Sequence, residues 1–358
     1  MEDNNPPKAA NTFVPVSFSF SGKTGEYWQI WIVNVLLTIV TLGIYSAWAK
    51  VRNERYFYGN TELDGHRFSY LATPIQILKG RIIAVILFVS YYLLSSFSPV
   101  AGLVLMLILL FAFPFLICAS LRFNLRMSSY RNVRFDFKGQ YGEALLNFLV
   151  LPVASLFTFY LLLPWVLKRI DNFLISNSYY GDRQFKPELE TGQYYFASFL
   201  TVIAMIFAVM TFGFALGLAG IAMPTPEAIE QGSVSSAILP YVILVIYFLV
   251  FTVVSAVYTT MIRNHMFRQT ELDEVAKFDS SFSIGSLAWL NLSNLAIVIF
   301  SLGFALPWAK IRKARYVVGR TEVQLNENKE NVIDNIAEQS NALGEEVANI
   351  FDVDVALT

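Results

Sequence analysis

Apolar residues run through this chain in long uninterrupted blocks, and the polar positions that break them recur at fixed distances. Between Arg81 and Arg122 lie forty uncharged residues. At about 1.5 Å per helical residue such a block is long enough to cross a hydrocarbon core of roughly 30 Å twice. Equally clean blocks fill 191–226 and 231–262. Linkers rich in Ser, Pro and Gly, Ser95 to Pro99 and Met223 to Ser236, turn each block around. The pattern predicts helices over about 82–96, 99–120, 195–221 and 238–261. Three further apolar segments, 27–49, 144–167 and 280–309, end differently: each runs into a Trp and then into basic residues.

Those endings repeat. Leu42-Gly43-Ile44-Tyr45-Ser46-Ala47-Trp48-Ala49-Lys50-Val51-Arg52 returns as Leu302-Gly303-Phe304-Ala305-Leu306-Pro307-Trp308-Ala309-Lys310-Ile311-Arg312, and in weaker form as Leu162-Leu163-Pro164-Trp165-Val166-Leu167-Lys168-Arg169. Trp165 follows Trp48 by 117 positions, and the same offset carries Phe18-Ser19-Phe20-Ser21-Gly22 onto Phe135-Asp136-Phe137-Lys138-Gly139. An offset of 260 aligns Asn34 with Asn294, Gly43 with Gly303, Arg55 with Arg315 and Thr61 with Thr321. A shared register of this kind marks an internal repeat. The expected organisation is a short tail (1–11), a first repeat of motif segment plus helix pair (12–121), a second (122–262), a truncated third (263–321) and an acidic tail (322–358).

The expected fold class is an all-α polytopic membrane protein with four full spans and three re-entrant or interfacial motif segments; the alternative has seven spans. Charge separates the two. Lys and Arg collect on the cytoplasmic side of short loops, and the loops inside the two helix pairs contain neither. With four spans, all 26 Lys and Arg fall on one side and both termini are cytoplasmic. With seven, nine of them move outside and the second repeat is inverted, as transporter repeats can be.

Composition supports a bilayer as the main solvent: 55% of the residues are hydrophobic, 15% are charged and the mean hydropathy is +0.51. Ordinary soluble domains carry about a quarter charged residues. The start of the chain lacks a basic region leading into a cleavable apolar core, so the first apolar segment is expected to be retained. Cys118, the single cysteine, sits in an apolar block, which excludes an intrachain disulfide. The net charge of −1 hides an asymmetry, because nine acids and one lysine after Arg320 and Thr321 give the tail −8 and leave the rest at +7.

The segments Glu26-Tyr27-Trp28-x-Ile30-Trp31-x-x-Asn34, Thr41-Leu42-Gly43-Ile44-Tyr45-Ser46-x-Trp48-Ala49-Lys50-Val51-Arg52 and Arg55-Tyr56-Phe57-Tyr58-Gly59-Asn60-Thr61 resemble the YjgN-like family of bacterial inner-membrane proteins. The resemblance extends over about residues 13–321. It implies a multi-pass protein of the bacterial inner membrane and, the family having no established biochemical role, carries over no catalytic residues.

Candidate chemistry is sparse. Trp48, Lys50, Arg52 and Arg55, with Trp165, Lys168 and Arg169 and with Trp308, Lys310, Arg312 and Arg315, form interfacial clusters. Their plain role is topological anchoring; the sharper one is recognition of anionic lipid headgroups. Asn34, Asn147, Asn291 and Asn294 are the main amides within the motif segments, as interhelical hydrogen-bond partners or as the lining of a polar path. Tyr56 to Thr61 followed by Leu63-Asp64-Gly65-His66 reads as a strand and tight turn that pairs with Phe18 to Phe20. His66 and His265 lack a second ligand at metal spacing, and no phosphate loop or nucleophile triad is present. The expectation is therefore no enzyme, no metal, no cofactor and no nucleic acid, with anionic lipids as partners and oligomeric state open. The four spans contain no Asp, Glu, Lys, Arg or His, which argues against a proton-coupled pump. Gly213-x-x-x-Gly217 suggests close helix packing, and the tail carries apolar residues at helical spacing that suit docking on the basic endings. Two roles stand side by side: a channel or facilitator for a small solute or lipid, and a non-transporting scaffold that binds anionic lipid or a partner protein.

Overall fold

The computed structural model describes residues 13–218, 234–273 and 275–326. The tail-docking expectation, the N-terminal tail and most of the linker from Met223 to Ser236 fall outside them. The chain is built as five successive strand–helix–helix–strand units. Unit 1 comprises β1 (Phe13–Ser17), β2 (Ser19–Phe20), α1 (Thr24–Val40), α2 (Ser46–Gly59) and β3 (Thr61–Leu63). Unit 2 is β4 (His66–Tyr70), α3 (Pro74–Phe97), α4 (Pro99–Arg126) and β5 (Ser128–Tyr130). Unit 3 is β6 (Val133–Phe137), α5 (Tyr141–Leu145), a π-helical turn (Leu146–Val150), α6 (Leu151–Phe157), α7 (Leu163–Ser176) and β7 (Ser178–Tyr180). Unit 4 is β8 (Arg183–Pro187), α8 (Thr191–Leu218), α9 (Val234–Arg268) and β9 (Thr270–Leu272); unit 5 is β10 (Ala276–Ser280), α10 (Ile284–Phe300), α11 (Leu306–Val318) and β11 (Thr321–Asn326).

The strands form one antiparallel, nearly closed barrel of 11 strands, which corrects the all-α expectation. Its order is β1-β11-β10-β9-β8-β7-β6-β5-β4-β3-β2, so the two end strands are consecutive in the chain and the N-terminal strand pairs with the C-terminal one. Four hairpins link the units. Three of their turns use left-handed backbone, supplied by Asp64 and Gly65 (φ 50° and 76°), Arg131 and Asn132 (48° and 63°) and Gly181 (61°). The strand and turn read between Tyr56 and His66 begin later than expected, because α2 runs to Gly59; Phe20 then pairs with Thr61.

One Phe per unit, at Phe18, Phe68, Phe135, Phe185 and Phe278, packs on a barrel core containing the second-strand residues Leu63, Tyr130, Tyr180, Leu272 and Val323. The pairing register sets Phe68 opposite Tyr130, Phe135 opposite Tyr180, Phe185 opposite Leu272 and Phe278 opposite Val323. Side chains thus fill the barrel. Nine residues after each Phe comes a buried helical residue: Tyr27, Ile77, Ala144, Tyr194 or Leu287. Each second helix hands over to the barrel through a Ser or Thr whose hydroxyl donates to the carbonyl four residues back: Thr61, Ser128, Ser178, Thr270 and Thr321, at 2.6–2.9 Å.

Four helices, those of units 2 and 4, are long and apolar enough to cross a membrane. The helix pairs of units 1, 3 and 5 are shorter. Each turns back at a tip where two residues are left-handed: Leu42 and Gly43, Phe159 and Tyr160, Leu302 and Gly303. In each tip a main-chain N–H donates to the carbonyl five residues back, at 2.8 Å, as in the commonest helix C-terminal motif. Thr41, Thr158 and Ser301 then accept, through their hydroxyls, the N–H that opens the returning helix. Both ends of every short pair join the same sheet, so the seven-span alternative, which needs them on opposite sides, is also corrected. The break at the tip, invisible to a hydropathy count, is the physical reason.

Candidate functional site

A cavity of about 850 Å³ lies directly beneath the barrel, between α2 of unit 1 and α11 of unit 5. Each helix presents one face to it. Lys50, Asn53, Glu54 and Phe57 stand at i, i+3, i+4 and i+7 on α2, and Lys310, Lys313, Ala314 and Val317 at the equivalent positions on α11. Arg81 of α3 enters from the side, and the roof is aromatic, with Phe18, Phe20, Phe68 and Tyr27. Four cations and one carboxylate therefore converge over an otherwise apolar surface.

The groups differ in how firmly they are held. Lys310 Nζ lies 3.5 Å from the Tyr27 hydroxyl and 6.0 Å from its ring centroid. Burial, followed by the charge of Glu54 and then Tyr56, pushes the Tyr27 phenol up to about 12, so it stays neutral. Arg81 donates to the Ser46 hydroxyl. Lys50, Glu54 and Lys313 line the cavity without a hydrogen bond or ion pair among the described residues. Uncommitted charges beside apolar walls can take a ligand carrying the opposite charge at little reorganisation cost.

The basic clusters read from the sequence divide. Lys50 and Lys310 reach the cavity. Arg55 and Arg315 instead donate to main-chain carbonyls of a neighbouring unit, Ala72 at 3.1 Å and Gly22 at 3.0 Å, and are latches between units. Arg312 bonds Ser293 and Asn294 at 2.5 and 3.2 Å, with its guanidinium 5.1 Å from the Trp308 ring. Arg169 repeats that arrangement with Asn147 at 3.4 Å and Trp165 at 5.3 Å. Arg52 is exposed and lines neither cavity, Trp48 is exposed and stacks on Tyr45, and Lys168 lines a second, smaller cavity in unit 3. The amides do not meet. Asn34 donates to Asn53 at 3.1 Å, Asn294 to the Ala309 carbonyl at 3.4 Å, Asn147 belongs to unit 3, and Asn291 is half-buried on α10. Sequence reasoning missed Arg81, Lys313, Glu54 and Tyr27; the i, i+3, i+4, i+7 spacing from Lys50 and Lys310 was the signal for Glu54 and Lys313. A Cβ built at Gly213 or Gly217 meets no described atom within 4 Å, so neither glycine marks a close helix contact within the described chain.

The model of a family described as "Bacterial protein of unknown function (DUF898)" matches residues 15–350. The chain belongs to this family. Curated relatives of the DUF898 chain are called inner membrane protein YjgN. One from Escherichia coli (strain K12) is 40% identical over 122 residues, which is 34% of this chain and 31% of the relative. One from Salmonella typhimurium is 25% identical over 345 residues, covering 85% of this chain and 87% of the relative. The better-matching stretch thus spans under a third of the E. coli relative's length. No solved structure matches. With four membrane-length helices and these relatives, the DUF898 chain is a bacterial inner-membrane protein.

Proposed function

We propose that this protein is a non-enzymatic binder of anionic lipid, with the headgroup phosphate held in the cavity between α2 and α11. The observation that carries the reading is the convergence of Lys50, Arg81, Lys310 and Lys313 from three helices on one apolar-walled cavity. Basic pockets at the membrane edge suit phosphate headgroups, and the exposed apolar tips beside this one, Val40, Leu42, Phe300 and Leu302, suit acyl chains. A channel along the barrel axis is less favoured, because the five Phe and their partners fill the barrel above the cavity. The bias of Lys and Arg toward the cytoplasmic side of short loops supports a cytoplasmic orientation of the sheet.

The test uses the full chain in nanodiscs of phosphatidylglycerol or of phosphatidylcholine, followed by native mass spectrometry of retained lipid. Retention of phosphatidylglycerol should fall about tenfold in a Lys50→Ala, Lys313→Ala double variant, neither residue having a hydrogen-bond or ion-pair partner among the described residues. Equal retention of both lipids, or no change in the variant, would remove the reading.

A further inference from the structure

Unit 3 departs from the other four units at three places, and all three line one cavity of about 270 Å³. The first is on α7. Counting ten residues back from the Ser or Thr that ends each second helix gives Val51, Cys118, Thr260 and Ile311, all buried; in unit 3 the same position is Lys168, half-buried. The second is the latch. Six residues before that Ser or Thr, Arg55, Arg122, Asn264 and Arg315 each donate to a carbonyl of a neighbouring unit, at Ala72, Gly139, Phe282 and Gly22. Asn172 holds that place in unit 3, makes no such bond among the described residues, and lines the cavity instead. The third is the π-helical turn Leu146–Val150, where the first helices of units 1 and 5 are regular. It holds Asn147, 3% exposed, at the cavity wall. Such insertions are rare and concentrate at functional sites.

From these coincident departures we infer a second binding site in unit 3, for a small zwitterion that joins a phosphate to an ammonium group. Lys168, Arg169, the amides of Asn147 and Asn172 and the Ser176 hydroxyl supply several donors from different directions, which matches a tetrahedral anion better than a planar one. Glu143, exposed and without a partner among the described residues, supplies the one negative charge and suits the ammonium. The volume is that of roughly nine waters at about 30 Å³ each, enough for phosphoethanolamine and too small for acyl chains. The ligand is therefore either free or the headgroup of a lipid whose chains stay outside. This site shares no lining residue with the cavity between α2 and α11 and stands or falls separately.

The test compares the full chain with Lys168→Met and Asn172→Ala. Met restores an uncharged side chain at a position that is buried and uncharged in the other units, so this variant is expected to fold with an unchanged or higher melting temperature. Phosphoethanolamine should raise the melting temperature of the wild type in detergent, inorganic phosphate should do so less, and ethanolamine alone should not. Both variants should weaken the effect at least tenfold in half-maximal concentration. A response to the soluble compound identifies a free ligand; retention of phosphatidylethanolamine in native mass spectra, without a response to the soluble compound, identifies the lipid. Absence of both in the wild type, or responses equal in the wild type and Lys168→Met, would overturn the site.

Discussion

At the scale of single residues, the acid beneath the barrel in unit 3 makes a sharp statement. Among the described residues Asp171 of α7 has no ion-pair partner; the Tyr194 hydroxyl donates to it at 2.7 Å. Burial raises its pKa, and the hydrogen bond from Tyr194 opposes only part of that rise. A carboxyl whose folded pKa lies above its unfolded value of about 3.9 favours folding while protonated, and that contribution is lost as pH rises through the folded value. Asp171→Asn keeps an acceptor for Tyr194 and removes the charge. Its melting temperature in detergent should exceed that of the wild type at pH 8, and the gain should shrink to nothing as pH falls toward 3.5. A constant difference across that range would show that the charge is not what burial penalises.

At the scale of elements, the units are joined by short bonds at the strand-to-helix corners. Arg122 donates to the carbonyls of Phe137 and Gly139 at 3.1 and 3.4 Å, tying α4 to the start of unit 3. Hydrogen bonds from charged groups contribute about 1.5–3 kcal/mol. Arg122→Met should therefore destabilise the protein by about 2 kcal/mol in a thermal or denaturant melt, whereas Asn172→Ala, at the matching but unlatched position, should leave the free protein near wild type. The same comparison explains what was legible in the sequence. The Trp-and-cation endings exposed units 1, 3 and 5 because their helix pairs share an unusual polar exit, and the long apolar blocks exposed the helices of units 2 and 4. Apart from the strand and turn that end at His66, the strands stayed hidden because they are two to six residues long. Phe68-Ser69-Tyr70, Phe185-Lys186-Pro187 and Phe278-Asp279-Ser280 carry the Phe18 pattern in strands too short for periodicity to register.

At the scale of the whole molecule, the ring order decides where ligands can reach. Units 5 and 1, both short, are neighbours because the N-terminal strand pairs with the C-terminal one. That closure brings Lys50 and Lys310, 260 positions apart, to one cavity. The repeat could suggest that the two lysines are equivalent; only the pairing of β1 with β11 makes them adjacent. Arg81, from a unit with no Trp-and-cation ending, joins them because β4 pairs with β3 and sets unit 2 beside unit 1.

The measurement that bears most directly on the account is an electron cryomicroscopy map of the full chain in a phosphatidylglycerol nanodisc. The account predicts headgroup density beneath the barrel, with its phosphate among Lys50, Arg81, Lys310 and Lys313 and its chains running past Leu42 and Leu302. Bound lipid found only on the outer faces of the long helices, with this cavity empty or closed by side chains, would contradict it.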